Sequence, residues 1–159
     1  MEESVLPHTQ EGAGFESALI RQFTIFLDNR VGRLQTLVRM LEESEARIVA
    51  LAVEESADSS LVRLIGSDAD LIRRILDQSR LGYTESEVIA VEMPKRTSEP
   101  MMAVCSALLS AEINIHYAYP LLWRPRGPAL ALYVDDPTLA AQLLIKKGFV
   151  LVAESDFKE

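Results

Sequence analysis

Apolar and polar positions alternate from Arg21 to Leu27. Phe23, Ile25 and Leu27 fall on one face and Thr24 and Phe26 on the other, which predicts a strand with two useful faces. Asp28, Asn29, Arg30, Val31, Gly32 and Arg33 form a polar loop in which Asn and Gly tolerate positive φ. Leu34, Leu37, Val38 and Leu41 then recur at helical spacing, so a helix runs to about Ser44. Strands are predicted over residues 48–54 and 61–65, separated by a polar hairpin at 55–59. Asp68 is placed to cap a helix carrying Leu71, Ile72, Ile75 and Leu76. Gly82 ends that region, and residues 83–86 read as a short fourth strand.

The pattern then repeats. Residues 88–93 read as a strand, and Pro100 suits the first turn of a helix that passes through Val104 and Leu108 to about Ala111. Strands follow at 114–122 and 129–134, around a stiff loop of Arg124, Pro125, Arg126, Gly127 and Pro128. Asp136 caps the last helix with Pro137 at its first position, Gly148 ends it, and residues 149–153 close the unit as a strand. Phe23, Ile25 and Leu27 correspond to Ile89, Val91 and Met93, while Leu34, Leu37, Leu41 and Ile48 recur as Met101, Val104, Leu108 and Ile115. The order βαββαβ, twice over, predicts an α+β protein of two ferredoxin-like units, each an antiparallel sheet with helices on one face. The expected divisions are a flexible tail over 1–20, a first unit over 21–86 and a second over 87–159, with the two sheets fused. The other face of each sheet is also apolar, and the expectation is that it packs against a second copy.

Composition narrows the function. A net charge of −8 disfavours nucleic acid and anionic membranes as partners. A single cysteine, Cys105, excludes an intramolecular disulfide and a cysteine-based metal cluster, and two histidines make no His-rich metal site. No apolar run approaches membrane-spanning length, and the acidic start Met1-Glu2-Glu3 is unlike a signal peptide, so a cytoplasmic protein is expected. No cofactor is implied.

The run from Phe23 through Asp28, Asn29, Arg30, Val31, Gly32 and Arg33 to Leu34 resembles the opening of an ACT domain, where a strand leads through an Asn/Asp-x-x-Gly-x-Leu loop into the first helix. Residues 110–119 resemble the entry to the second ACT strand, and Gly148-Phe149-Val150 is ACT-like too. Residues 22–157 together resemble the stand-alone tandem ACT proteins, which have no catalytic domain. The resemblance implies regulatory binding of a small molecule, most often an amino acid, between the first loop of one unit and the second strand of another. Carried over, the loop supplies Asp28, Asn29, Arg30, Val31, Gly32 and Arg33, and the strand supplies Asn114, Ile115, His116, Tyr117 and Tyr119.

Residue chemistry is compatible with that implication. A ligand carboxylate suits the N–H groups at a helix start, where Gly32 permits close approach. Asp28 or the Asn29 amide oxygen can take the ammonium, and Ile115, Tyr117 and Tyr119 can wall the side chain. The same Asp and Asn also simply stabilise turns. The second loop, residues 95–100, lacks the glycine and carries Pro100 where an N–H would lie, so one competent site per chain is expected. His116 is either a ligand contact or a half-exposed structural residue. Cys105 reads as a packed small hydrophobe. Trp123 with Arg124 and Arg126 reads either as an interaction hot spot or as a tryptophan folded onto the sheet.

The leading expectation is a non-catalytic, amino-acid-binding regulator that forms a homodimer or joins a partner enzyme. The alternative is a constitutive scaffold or regulatory subunit of an amino-acid metabolic enzyme. An enzyme on the same fold ranks last, because no catalytic constellation emerges from the residues.

Overall fold

The computed structural model describes residues 18–123 and 126–158. The elements are β1 (Ile20–Asp28), α1 (Arg33–Glu42), β2 (Ile48–Glu55), β3 (Ser59–Gly66), α2 (Ala69–Ser79), β4 (Tyr83–Glu92), α3 (Pro100–Leu109), β5 (Ile115–Pro120), β6 (Ala129–Val134), α4 (Pro137–Lys146), β7 (Leu151–Val152) and a 3₁₀ turn at Glu154–Lys158. The sheet runs β2-β3-β1-β4-β6-β5, with β7 also on β4. The fold is α+β, an antiparallel curled sheet with four helices.

The two strands expected at 83–86 and 88–93 are one continuous strand. Residues 83–88 of β4 pair with β1, and residues 89–92 pair with β6, while Ala90 and Val91 also pair with β7. Ten residues extend about 33 Å, enough to serve both halves. The closing strand is shorter than the expected 149–153. Asp68 and Asp136 cap α2 and α4 as predicted, accepting from the Leu71 and Leu139 N–H groups at 3.1 and 3.0 Å. The left-handed residue ending α2 is Arg80 rather than Gly82.

Phe23, Ile25 and Leu27 pack beneath α1 and α2 against Leu37, Leu41, Ile72 and Leu76. Ile89 and Val91 do the same beneath α3 and α4. The helix-free face gives the main correction. Most of it is covered by the chain itself rather than by a second copy, because the sheet curls until its halves meet in a third core that includes Ile20, Ala50, Val88, Ala90, Ala131, Tyr119 and Val152, while Phe26 stays 46% exposed. Just past β5, the Leu122 N–H donates to the Val49 carbonyl on β2 at 2.7 Å. Alanines on this concave face let the two halves approach closely.

The register breaks at equivalent places in the two halves, at Val49 on β2 and His116 on β5. A bulged residue reverses the alternation that follows it. Ile115 therefore packs on the helix side, while Tyr117 and Tyr119 enter the concave core. The three were expected to form one wall; they lie on opposite faces.

Ala18, Leu19 and Ile20, expected in the tail, are packed against the cores; the remaining tail residues, 1–17, lie outside the described residues, as do Arg124 and Pro125. Arg21 ties the C-terminal turn and α2 together, donating to Glu154 Oε1 at 3.0 Å and Asp70 Oδ1 at 2.7 Å. The Arg21 guanidinium holds the Asp70 carboxyl below its ordinary range. A depressed carboxylate contributes stability above its unfolded pKa, roughly 3.9, and loses it as pH falls through the folded value. Denaturation curves between about pH 5 and pH 3 should therefore fall more steeply for wild type than for Asp70→Asn. Parallel curves would show that the pair is energetically silent. Among the described residues no helix is long and apolar enough to cross a membrane.

Candidate functional site

The loop between β1 and α1 is shaped by local backbone chemistry. The Arg30 N–H folds back onto the Asp28 carbonyl at 2.8 Å, and Gly32 then takes φ +88 at the N-cap of α1. An L side chain is strained at that φ, which explains the glycine better than crowding does, since a Cβ there would meet nothing within 4 Å. The Gly32 carbonyl accepts from the Thr36 N–H at 3.0 Å and the Thr36 hydroxyl at 2.9 Å.

Unlike α2 and α4, α1 starts without a side-chain cap from the described residues, and unlike α2 it has no acid in its first turn. The Arg33 N–H is taken by the Arg30 carbonyl at 3.3 Å, while the N–H groups that follow it in the first turn and the positive end of the dipole stay open to an anion. Asp28, Asn29, Arg30, Gly32 and Arg33 line a cleft of about 330 Å³ closed on the far side by Val53, Glu55 and Ser60. Arg33 and Asp28, both in the lining, pair at 3.3 Å. The cleft thus offers guanidinium and N–H groups for a carboxylate, and Asp28 and Glu55 for a cation.

Five of the six expected loop residues meet here, while Val31 projects into solvent. Among the described residues the cleft is lined by no part of β5. Asn114 and His116 are exposed elsewhere, with His116 Nε2 2.5 Å from Asp135 Oδ1. Tyr119 is buried, Tyr117 partly so, and Ile115 packs on a helix core. Glu55, Ser60 and Val53 had not been expected. The signal was in the topology, because pairing β3 antiparallel to β1 sets Ser59 against Asp28 and brings the β2–β3 hairpin to this loop.

The second loop also starts a helix lacking a side-chain cap, and it borders a larger cleft of about 520 Å³ lined by residues 92–96 and 148–150. Trp123 folds onto the molecule, edge-on to Phe157 with centroids 5.8 Å apart and under the Arg47 guanidinium at 4.6 Å. Arg126 pairs with Glu92. Cys105 is exposed, not packed as expected. Among the described residues no group of His, Cys, Asp and Glu is placed to hold a metal ion.

The sequence model for the ACT domain pair matches residues 18–159. The chain belongs to the ACT domain pair family. A Bacteroides thetaiotaomicron protein of solved structure is similar to this ACT pair at 23% identity and TM-score 0.79, over 89% of this chain and 97% of that one. The regulatory subunit of aspartate kinase from Thermus thermophilus shares the fold at 10% identity and TM-score 0.57, over 81% and 93% of the two chains. Aspartokinase alpha and beta subunits share it at 12% identity and TM-score 0.53, over 82% and 92%. No curated protein sequence matches this ACT pair.

Proposed function

We propose that this ACT pair is a non-catalytic regulatory protein that binds a free amino acid in the cleft beside α1. The carrying observation is the left-handed Gly32 that opens an uncapped, acid-free helix start onto a cleft with charges of both signs. The ligand carboxylate lies over the N–H groups that follow Arg33 in the first turn of α1, assisted by the Arg30 or Arg33 guanidinium. Its ammonium is held by Asp28, the Asn29 amide oxygen or Glu55. A cleft of about 330 Å³ is at the small end for ligand sites, which suits a ligand of this size.

The functional units are 21–86 and 87–159, sharing β4. Exposed His116 on β5 and Asn114 just before it are the candidate residues still available to a ligand held between chains. Ligand that bridges units couples its binding free energy to their placement, and through it to a second copy or a partner enzyme. The shared fold with a regulatory subunit of aspartate kinase supports a regulatory role.

The test is a thermal-shift screen of the twenty amino acids at millimolar concentration, on wild type and Asn29→Ala. A ligand at 100 times its dissociation constant adds about 2.7 kcal/mol, or about 5 to 11 °C for a chain of this size. A selective shift that the variant loses supports the sensor. Silence from all twenty removes it and leaves the constitutive scaffold.

A further inference from the structure

The two halves of the chain carry clefts on different flanks of equivalent loops. The α1 cleft lies between the β1–α1 loop and the β2–β3 hairpin. The cleft of about 520 Å³ in the second half lies between the β4–α3 loop and the turn from α4 into β7. It is not a twin of the first, because the β5–β6 loop, which corresponds to the β2–β3 hairpin, adds none of its described residues to the lining. Its counterpart in the first half is the turn from α2 into β4. There the Phe26 N–H donates to the Gly82 carbonyl, and here the Glu92 N–H donates to the Val150 carbonyl, both at 2.9 Å. The Phe26 ring lies over Gly82, with Cδ2 3.7 Å from where a Cβ would stand. In the second half that ring is replaced by Glu92, whose carboxylate is drawn off to Arg126.

The walls of this open place are of two kinds. Met93 and Phe149 rest against the helix-side core, and Pro94 and half-exposed Val150 extend the apolar surface. The other wall is cationic. The Lys95 chain runs beside Gly127, and its ammonium donates to the Arg126 carbonyl at 3.4 Å, which leaves two of its three protons free. Arg96 is exposed next to it, and neither cation forms an ion pair among the described residues. The acid among the lining residues, Glu92, is already paired with Arg126, which also reaches Asp156 at 3.6 Å.

These charges decide what the cleft can take. An amino acid would bring an ammonium with no free acid to receive it and two cations beside it. An anion instead meets two unneutralised cations, a local reversal of sign on a chain of net charge −8. Inorganic phosphate would satisfy those cations and leave the apolar wall in water. We infer that the cleft between the β4–α3 loop and the α4–β7 turn binds an organic carboxylate with an apolar body and no ammonium group, the class to which 2-oxo acids and short acyl acids belong. Its carboxylate lies on Lys95 and Arg96, and its body lies against Met93, Phe149 and Val150. The α1 cleft has Asp28 and Glu55 to receive an ammonium and this cleft has no free acid, so the two sort their ligands by that one group. The inference holds whether or not an amino acid binds at α1.

The test is isothermal titration of the full chain with 3-phenylpropanoate, which is phenylalanine without its ammonium. The dissociation constant should be on the order of 0.1–1 mM, as expected for a ligand of this size. Replacing both cations, with Lys95→Ala and Arg96→Ala together, should weaken binding at least about tenfold. Both side chains are exposed, so the thermal midpoint should match wild type. Val150→Asp, which sets a negative charge in the apolar wall, should weaken binding by a similar factor. Phenylalanine or inorganic phosphate at the same concentration should leave the 3-phenylpropanoate titration unchanged, even if phenylalanine binds at α1. Four results would each overturn the inference: no binding at about 10 mM, binding indifferent to both variants with folding intact, displacement by phenylalanine or phosphate, or loss of binding in Asn29→Ala, which alters the other cleft.

Discussion

Phe157→Ala should lower the unfolding free energy by about 3–5 kcal/mol, the cost of emptying a large aromatic site in a packed core. Phe157 is 1% exposed although it lies near the chain end, in the turn Glu154–Lys158. Several bonds fix that turn. The Arg21 N–H donates to Glu154 Oε1 at 2.8 Å, the Ala153 N–H to Asp156 Oδ2 at 2.8 Å, and Arg47 Nη2 to the Phe157 carbonyl at 2.6 Å. The ring seals the concave core and meets Trp123 edge-on. Total stabilities of single domains run about 5–15 kcal/mol, so the loss is a large fraction of what exists. Urea denaturation gives the free energy, and the single tryptophan reports the local contact, since its fluorescence should shift toward an exposed indole. A loss below about 1 kcal/mol would place the turn outside the cooperative unit.

The contribution of Phe157 was hidden in the sequence for a reason that applies to the whole concave core. Periodicity reports which residues of a strand share a face, and it grouped Phe23 with Ile25 and Leu27, and Ile89 with Val91, as they pack beneath the helices, without saying which face the helices cover. It does not report what covers the second face. The small residues Ala50, Ala90 and Ala131 were the available sign of a tight curl, and they read as neutral in a hydrophobic pattern. The bulges at Val49 and His116 were equally silent, because an extra residue leaves no mark on composition. They decide the fate of the β5 residues, turning Tyr117 and Tyr119 inward. The α1 loop was legible because its chemistry is local. Gly32 at positive φ and the polar run before it need no knowledge of distant strands. Glu55 and Ser60, which complete the cleft, required the register of β3 on β1.

Gln22→Ala should cost about 2–4 kcal/mol, more than its loss of apolar contact alone would suggest. Gln22 is the buried polar residue of the concave core and lies on β1, yet its partners belong largely to the other half of the chain. Its amide donates to Tyr117 Oη at 2.6 Å and Ser86 Oγ at 3.1 Å, and its carbonyl accepts from the Tyr119 hydroxyl. Alanine leaves Tyr119, 5% exposed, with a buried hydroxyl and no acceptor there. Tyr119→Phe alone should cost about 1–3 kcal/mol by orphaning the Gln22 oxygen. Gln22→Leu with Tyr119→Phe removes both partners and keeps volume, so the double variant should recover much of the loss. With Gln22→Leu alone as the remaining corner, the resulting coupling of at least about 1 kcal/mol is measurable by a double-mutant cycle in urea. Simple additivity would mean that water or a neighbour replaces the bond. Burial, reinforced by Tyr117, pushes the Tyr119 phenol above its usual range. A raised folded pKa gives stability that is complete below the unfolded value, roughly 10, and is lost as pH climbs through the folded one. Wild type should thus weaken above about pH 10 in a way that Tyr119→Phe does not, which ties the alkaline limit of the fold to the hydroxyl that joins its two halves.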